Sequence, residues 1–210
     1  MTEVLKENSL ITLDEAKGWL GIDVSNTDYD FKLITFINSS SDKIEAYLDR
    51  KLCKKEYTAR LDGNRNIRLV LRNFPVSSVN SIAVDHKWDF SDPVDPDNYR
   101  WSEDGVVTLK QSLLPRGNCN VQVVYEAGYV TPLSSIQTGD TLPSAIKMAC
   151  IEFVKYLFSL DSDERYGISS RNKQGQSISY ASGIPSEIME MIEDYRRIEF
   201  DTTMAALDTF

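Results

Sequence analysis

The stretch from Asp28 to Lys51, DYDFKLITFINSSSDKIEAYLDRK, decides how the rest of the chain is read. Phe31, Ile34, Ile37, Ile44, Tyr47 and Leu48 recur at three- and four-residue steps with one seven-residue gap. That spacing predicts a helix with one apolar face, leaving Lys32, Asn38, Asp42, Lys43, Glu45 and Asp49 largely to the other side. Ser39, Ser40 and Ser41 fill the gap, where small side chains let another backbone approach closely. A helix of about 24 residues spans roughly 36 Å, too long for its short sequence neighbours to cover. It needs the distant helical pattern at residues 143–160.

Upstream, residues 1–9 read as a polar, loosely held N-terminal arm. Thr12-Leu13-Asp14-Glu15 is a capping-box pattern opening a short helix through Leu20, and Gly21 is placed to end it in the left-handed conformation. Asp28 is expected to begin the long helix, as its cap or in its first turn.

Downstream the period drops to two. Tyr57, Ala59 and Leu61 alternate with polar residues, and Asp62-Gly63-Asn64 gives a turn signal. Ile67, Leu69 and Leu71 then read as the partner strand of a hairpin. Val76, Val79, Ile82 and Val84 continue an extended segment. Residues 85–98, with Asp85, Asp89, Asp92, Asp95, Asp97, Pro93 and Pro96, read as an exposed loop. Tyr99 and Trp101 face Val106, Val107 and Leu109 across Asp104-Gly105 as a second hairpin, and NVQVVY (120–125) is the strongest strand pattern. Helical spacing returns after Pro143 with Ile146, Ala149, Cys150, Phe153, Val154, Leu157 and Phe158. The polar residues 161–183 read as a flexible loop, Pro185 starts a last helix, and 199–210 reads as an acidic tail.

The expected fold class is therefore α+β, mainly a helical bundle with an inserted small antiparallel β-module. Its parts are the arm 1–9, a bundle of residues 10–53 and 142–198 that contains the loop 161–183, the insert 54–141, and the tail 199–210.

Bulk properties narrow the function. The 210 residues carry 23 Lys+Arg against 32 Asp+Glu, a net charge of −9. That balance opposes a surface built to grip nucleic acid, while acidic walls keep passing DNA from sticking. No apolar run approaches a membrane span, and the N-terminus has no basic-then-apolar leader pattern. Cys53, Cys119 and Cys150 lack CxxC spacing and read as free thiols from a reducing compartment. His86 is the only histidine and sits at the start of a charged loop, a poor place for a Ser-His-Asp or Cys-His mechanism. The acidic loop 85–97 lacks EF-hand spacing and reads as a solvated or partner-facing loop, with calcium binding as its alternative. Trp88, Tyr99 and Trp101 beside those acids leave an acid-dependent hydrolase as a remote possibility. Arg60, Arg65, Arg68 and Arg72 read as solvated hairpin residues pairing with nearby acids. Contact with an acidic neighbouring subunit, then with DNA, are their alternatives. No catalytic, cofactor-binding or metal-ligating residue is assigned.

Read in order, the motifs have a known counterpart. LITLDEAK (10–17), LGID (20–23), the long helix closing in YLDRKL (47–52), LPSAIK (142–147) and SISY (177–180) before Ile184-Pro185 together resemble the head–tail connector, or adaptor and head completion, proteins of tailed phages. The resemblance covers about half the chain. Two features depart from it: Asp49 stands where that family carries a glycine, and the β-module of residues 57–130 exceeds the short hairpin region of the smallest members. The resemblance implies a non-enzymatic virion protein of the neck, an adaptor ring, usually twelve-fold, below the portal protein. It also implies contact with a stopper or tail-completion protein below and DNA only as passing cargo. Termini and loops would make the contacts, which points to Tyr166, Arg171, Lys173, Ile178, Tyr180, Tyr195, Arg196 and Phe200 as partner-contact residues. The competing reading is a tail or baseplate binding module whose β-insert holds a carbohydrate or a partner protein.

Overall fold

The structure is a computed structural model that describes residues 4–110, 113–162, 170–173, 176–179 and 184–197. Its helices are α1 (Leu13–Leu20), α2 (Asp30–Leu48), α3 (Ser144–Ser162) and α4 (Ser186–Ile192). Its strands are β1 (Lys55–Gly63), β2 (Arg68–Val70), β3 (Val76–Val84), β4 (Tyr99–Trp101), β5 (Val106–Leu109), β6 (Gly117–Ala127), β7 (Ser170–Lys173) and β8 (Gln176–Ser179). The described strands form two antiparallel three-stranded sheets, ordered β1-β6-β3 and β2-β5-β4, and a separate antiparallel pair, β7-β8. This corrects the expected mainly helical bundle. Three strands run nine to eleven residues, and the β region closes a core of its own instead of decorating a bundle.

The helical core forms as the periodicity requires. Leu33, Ile37, Ile44 and Leu48 of α2 pack against Ile146, Ala149, Cys150, Phe153, Val154 and Leu157 of α3, with Ile188 and Ile192 of α4 closing one side. α1 has its capping box: Thr12 accepts from the Glu15 amide, and Glu15 accepts from the Thr12 amide. Gly21, at φ 69°, ends it in the left-handed region where a Cβ would be strained.

Three details of α2 differ from expectation. It begins at Asp30 after a Tyr29 cap position and runs 19 residues, because the Asp28 amide is engaged by Asn26. Phe31 is exposed and Leu33 takes its place in the core. Asn38 and Glu45, expected on the wet face, are buried, because residues 4–10 lie across them. The Lys6 amide donates to Asn38 Oδ1, Asn38 Nδ2 donates to the Val4 carbonyl, and Asn8 Nδ2 donates to Glu45. The serine gap admits this backbone: Ser41 Oγ accepts from the Leu10 amide at 3.1 Å. The described part of the arm expected to hang loose, residues 4–9, is held along α2.

In the β region the expected hairpin across Asp62-Gly63-Asn64 is absent. β1 pairs with β6, and β2 pairs with β5 in the other sheet. The β4-β5 hairpin across Asp104-Gly105 forms as read. β6 is the central strand of its sheet, flanked by β1 and β3. Leu69, Val107 and Leu109 of one sheet meet Ile82, Val121, Val123 and Tyr125 of the other in one shared core. Within the segment read as an unstructured loop, Ser170–Lys173 pairs antiparallel with Gln176–Ser179.

Candidate functional site

α2 and α3 run antiparallel, so the end of α3 meets the start of α2: Tyr29 packs edge-on to Phe158 at 5.6 Å, and Lys32 pairs with Asp161 at 2.7 Å. At this helical pole Trp19, Val24 and Phe31 are exposed. Lys155 lies over the Trp19 ring.

A second exposed apolar group lies at the far tip of the β-module. The Trp88 indole donates to the Asn118 carbonyl, at the opposite end of β6 from the helices, and the Arg65 amide donates to Leu114. Ile67, Trp88 and Leu113 are exposed there. Arg65, Trp88, Phe90 and Cys119 all have positive φ, a left-handed conformation that bulky residues adopt at a cost of order 1 kcal/mol each. Only Asp49 joins them among the described non-glycine residues. The acidic loop beside the tip spends its carboxylates on its own backbone: Asp85 accepts from the Lys87 and Asp89 amides, and Asp95 accepts from Asp97. Two backbone bonds hold the Asp85 carboxyl below its ordinary value. Among the described residues no three His, Cys, Asp or Glu side chains converge as a metal site.

Between the poles lies the junction, where the chain leaves α2 for β1. The Tyr129 amide donates to the Leu52 carbonyl and the Lys54 amide to the Tyr129 carbonyl, which ties the exit of β6 to the exit of α2. Gly128, at φ 102°, permits this, because a Cβ there would sit 2.7 Å from the Leu52 and Cys53 carbonyl oxygens. Asp49 ends α2 at φ 52°, so the position where the resembling family has glycine is a left-handed cap. Its carboxylate receives Arg72 and, at 3.2 Å, Arg197. Burial pushes that carboxyl up, but the bond and charge of Arg72, then of Arg197, together hold it below the ordinary range.

An open cleft of about 490 Å³ runs along this junction, lined by Asp42, Glu45, Asp49, Arg50, Lys51 and Arg72 among others, and a second of about 450 Å³ continues it past Lys6, Glu7 and Lys55. Each lining carboxylate has a cation: Glu7 has Lys55, Asp42 has Lys6, Glu45 has Lys51, and Asp49 has Arg72. Arg50 is different. It is only 2% exposed, stacks 3.6 Å above the Phe74 ring, and donates from Nη1 to the Phe74 carbonyl at 2.6 Å. Its Nε and Nη2 are shielded from solvent and make no hydrogen bond of good geometry among the described residues, while the Tyr129 side chain lies beside the guanidinium.

The residues expected to contact partners distribute as follows. Arg171, Lys173 and Ile178 lie on the β7-β8 hairpin, in which Arg171 is opposite Ile178. Tyr166, Tyr180 and Phe200 lie outside the described residues. Tyr195 packs partly into the helical core. Arg196 is exposed, sits over the Tyr47 ring at 5.5 Å and pairs with Glu193. Arg50 was visible in the sequence within YLDRKL, yet no local signal marks a buried guanidinium, because its burial depends on Phe74 and Tyr129. Of the basic run, Arg72 alone bridges to the helices. Arg60 lies over Phe90, and Arg65 and Arg68 are exposed.

The family model described as head completion protein matches residues 9–198. Among solved structures, a chain of the neck of a native GTA particle computed with C12 symmetry superposes with a TM-score of 0.60 at 18% identity, covering 94% of this chain and 93% of that one. A chain from the neck of an empty GTA particle computed with C6 symmetry gives 0.62 at 19% identity, covering 94% and 95%. A chain from the virion of a native gene transfer agent particle gives 0.62 at 17%, covering 94% of each. No curated protein matches the sequence.

Proposed function

We propose, from the premise that this chain belongs to the head completion protein family, that it is a structural, non-enzymatic subunit of a phage-type neck. It forms a ring, twelve-fold when seated on a portal, that joins the portal protein above to a stopper or tail-completion protein below and lines the passage for DNA. The observation that carries the reading is the family match over residues 9–198, nearly the whole chain. The likeness to gene transfer agent neck chains, one of them computed with C12 symmetry and one with C6, agrees with it.

The geometry adds a direction. α2 alone spans about 28 Å, so the helical pole and the junction are well separated, and β6 carries the tip roughly 33 Å further along its own strand. A subunit bridging two different rings needs two unlike contact ends. Here one end presents Trp19 and Phe31, and the other presents Ile67, Trp88 and Leu113. We assign the helical pole, with Arg171, Lys173 and Ile178, to the portal and the β tip to the lower component. Tyr166, Tyr180, Tyr195, Arg196 and Phe200 are proposed to complete the portal contact. The net charge of −9 suits a wall that DNA slides past.

Mixing the purified protein with portal and imaging negatively stained particles tests this. Portals capped by an added ring are the expected result; bare portals beside free monomers would defeat it. The exposed tip also fits a module that holds a protein or carbohydrate. In that case the Trp88→Ala variant would lose a ligand while still capping portals.

A further inference from the structure

We infer that the outer edge of β1 is an interaction surface for a second copy of this chain, which adds its own β1 antiparallel about Thr58 and closes a two-fold dimer. Such a pair points its two copies in opposite directions, whereas a ring repeats one direction. The inference therefore concerns the free chain and stands apart from the ring reading.

The backbone of β1 shows that the edge is open. β1 pairs with β6 on one side only. The Gly63 amide donates to Asn120 on that side, and alternate residues of a strand turn their amides and carbonyls the same way. Leu61, Ala59, Tyr57 and Lys55 therefore turn to β6, while Glu56, Thr58 and Arg60 turn outward. β6 agrees from its other side. The Asn120 carbonyl accepts from Asp85 and the Gly128 amide donates to Pro75, so the even-numbered residues of β6 face β3 and the odd-numbered ones are left for β1. No described residue bonds to the outward amides and carbonyls of Glu56, Thr58 and Arg60. The other edges differ. The outer side of β3 is taken by Pro93, Val94 and Glu103, and β2, β4, β7 and β8 are only three or four residues long. A long open edge is ordinarily covered, or charged so that it repels other strands.

The side chains choose the occupant. Glu56, Thr58 and Arg60 are exposed along the edge. Like charges there would keep another copy away, but Glu56 and Arg60 are opposite charges placed symmetrically about Thr58. With Thr58 on a two-fold axis, Glu56 of each copy lies opposite Arg60 of the other. The same placement joins outward backbone to outward backbone in about six hydrogen bonds. Tyr57 then meets Ala59 across the pair, and both are only half-buried against the β core. Other registers are worse. Centring on Glu56 or Arg60 sets that charge against itself, and centring on Tyr57 or Ala59 sets Arg60 against Lys54 or Glu56 against Asp62. Like charges directly opposite are destabilising, so the charges select one register. The three-stranded sheets of the two copies become one continuous sheet of six strands.

Sedimentation of the full chain, with no portal present, tests it. A dimer that grows with concentration across the micromolar range is expected. Glu56→Arg turns both attractive pairs into Arg–Arg contacts and should weaken that dimer at least about tenfold, with circular dichroism and Tm unchanged. Adding Arg60→Glu swaps the charges and should restore association to within about threefold of the parent. In a Cys119→Ser background, Thr58→Cys places two thiols on the axis. Opposed Cα atoms about 5.5 Å apart there lie within disulfide reach, so mild oxidation should give a covalent dimer. A chain that stays monomeric, a dimer indifferent to Glu56→Arg, or a charge swap that fails to recover it overturns the interface. A dimer that Thr58→Cys cannot cross-link overturns the register. If the charge variants melt early, the cross-link decides alone. None of these measurements involves a ring, so they succeed or fail whatever the portal experiment gives.

Discussion

The helical half and the β half of this chain bury comparable cores but reach them by different routes. In the helical half, α2 and α3 each carry their own apolar stripe, and the two stripes need only meet. In the β half, no strand is paired with the strand that its nearest turn signal suggests, apart from β4 with β5. β1 instead waits for β6, more than fifty residues later. A helix satisfies its backbone locally and a strand cannot, so the first half is specified by periodicity and the second by long-range pairing. The halves also differ in strain. The left-handed non-glycine residues lie at the β tip and the junction, none inside the helical core.

The comparison can be broken most forcefully in the cores. Phe153→Ala in the helical core and Tyr125→Ala in the β core each remove a large, fully buried side chain, and each should cost about 3–5 kcal/mol. Because Arg50, Leu52 and Tyr129 tie the halves together, urea unfolding of either variant is expected to stay a single transition for fluorescence and circular dichroism alike. Two separated transitions would show that the halves fold independently.

The junction is sharpened at Asp49. Replacing it by Ala keeps a Cβ in the left-handed region and removes the acceptor for Arg72 and Arg197, with an expected loss of about 1–2 kcal/mol. Asp49→Gly removes the backbone strain and loses only partly exposed ion pairs, so it should cost less. If denaturation ranks the glycine variant as the worse of the two, relief of the left-handed strain does not decide this cap. On the helical side, Thr12→Ala removes the capping box of α1 and should cost about 1 kcal/mol, with a matching loss in the denaturation midpoint.

Acid should weaken the helical side and the junction first. Burial raises the carboxyls of Glu15, Asp42 and Asp49, but their bonds to Lys147, Lys6 and Arg72 outweigh it and leave all three below their ordinary values. Folding is then coupled to the ionised forms. The contribution is present above the unfolded-chain values near pH 4 and disappears as pH falls through the lowered folded values. A Tm that is flat from pH 7 to 5 and declines below about 4 is the expected profile; a rise on acidification would reverse the sign.

The smallest effect is chemical and leaves stability aside. Cys150 lies fully buried in the helical core, its thiol pushed up to about 12 by burial, and Cys53 is buried at the junction, whereas Cys119 is exposed at the β tip. A thiol reagent should label Cys119 on the folded chain and reach the other two only after denaturation. Rapid labelling of Cys150 would mean that the helical half opens more readily than its packing implies.

What could be read from the sequence follows the same division. Thr12, Glu15 and Gly21 announced the first helix through local chemistry confined to the ten residues 12–21, and the α2 and α3 stripes announced their mutual cover. The serine gap foretold a close approach, though not that residues 4–10 would make it. The glycine-to-aspartate departure at Asp49 marked a helix end whose left-handed geometry became visible only with Arg72 and Arg197 in place. The β pairings were hidden because alternation says which face a residue takes and nothing about which strand lies beside it. Neither could composition show that the β half would build its own core and make the fold mixed.

By itself, then, the sequence determined which segments are helical, which residues are apolar at which period, the acidic balance and, through its ordered motifs, the family. Tertiary structure alone decided the partners of β1, β2, β3 and β6, the burial of Asn38, Glu45 and Arg50, and the gathering of paired charges around the buried Arg50 guanidinium. The reason is physical. Propensity and capping act over a few residues of chain, whereas burial and charge matching depend on groups such as Arg50 and Phe74 that only folding brings together.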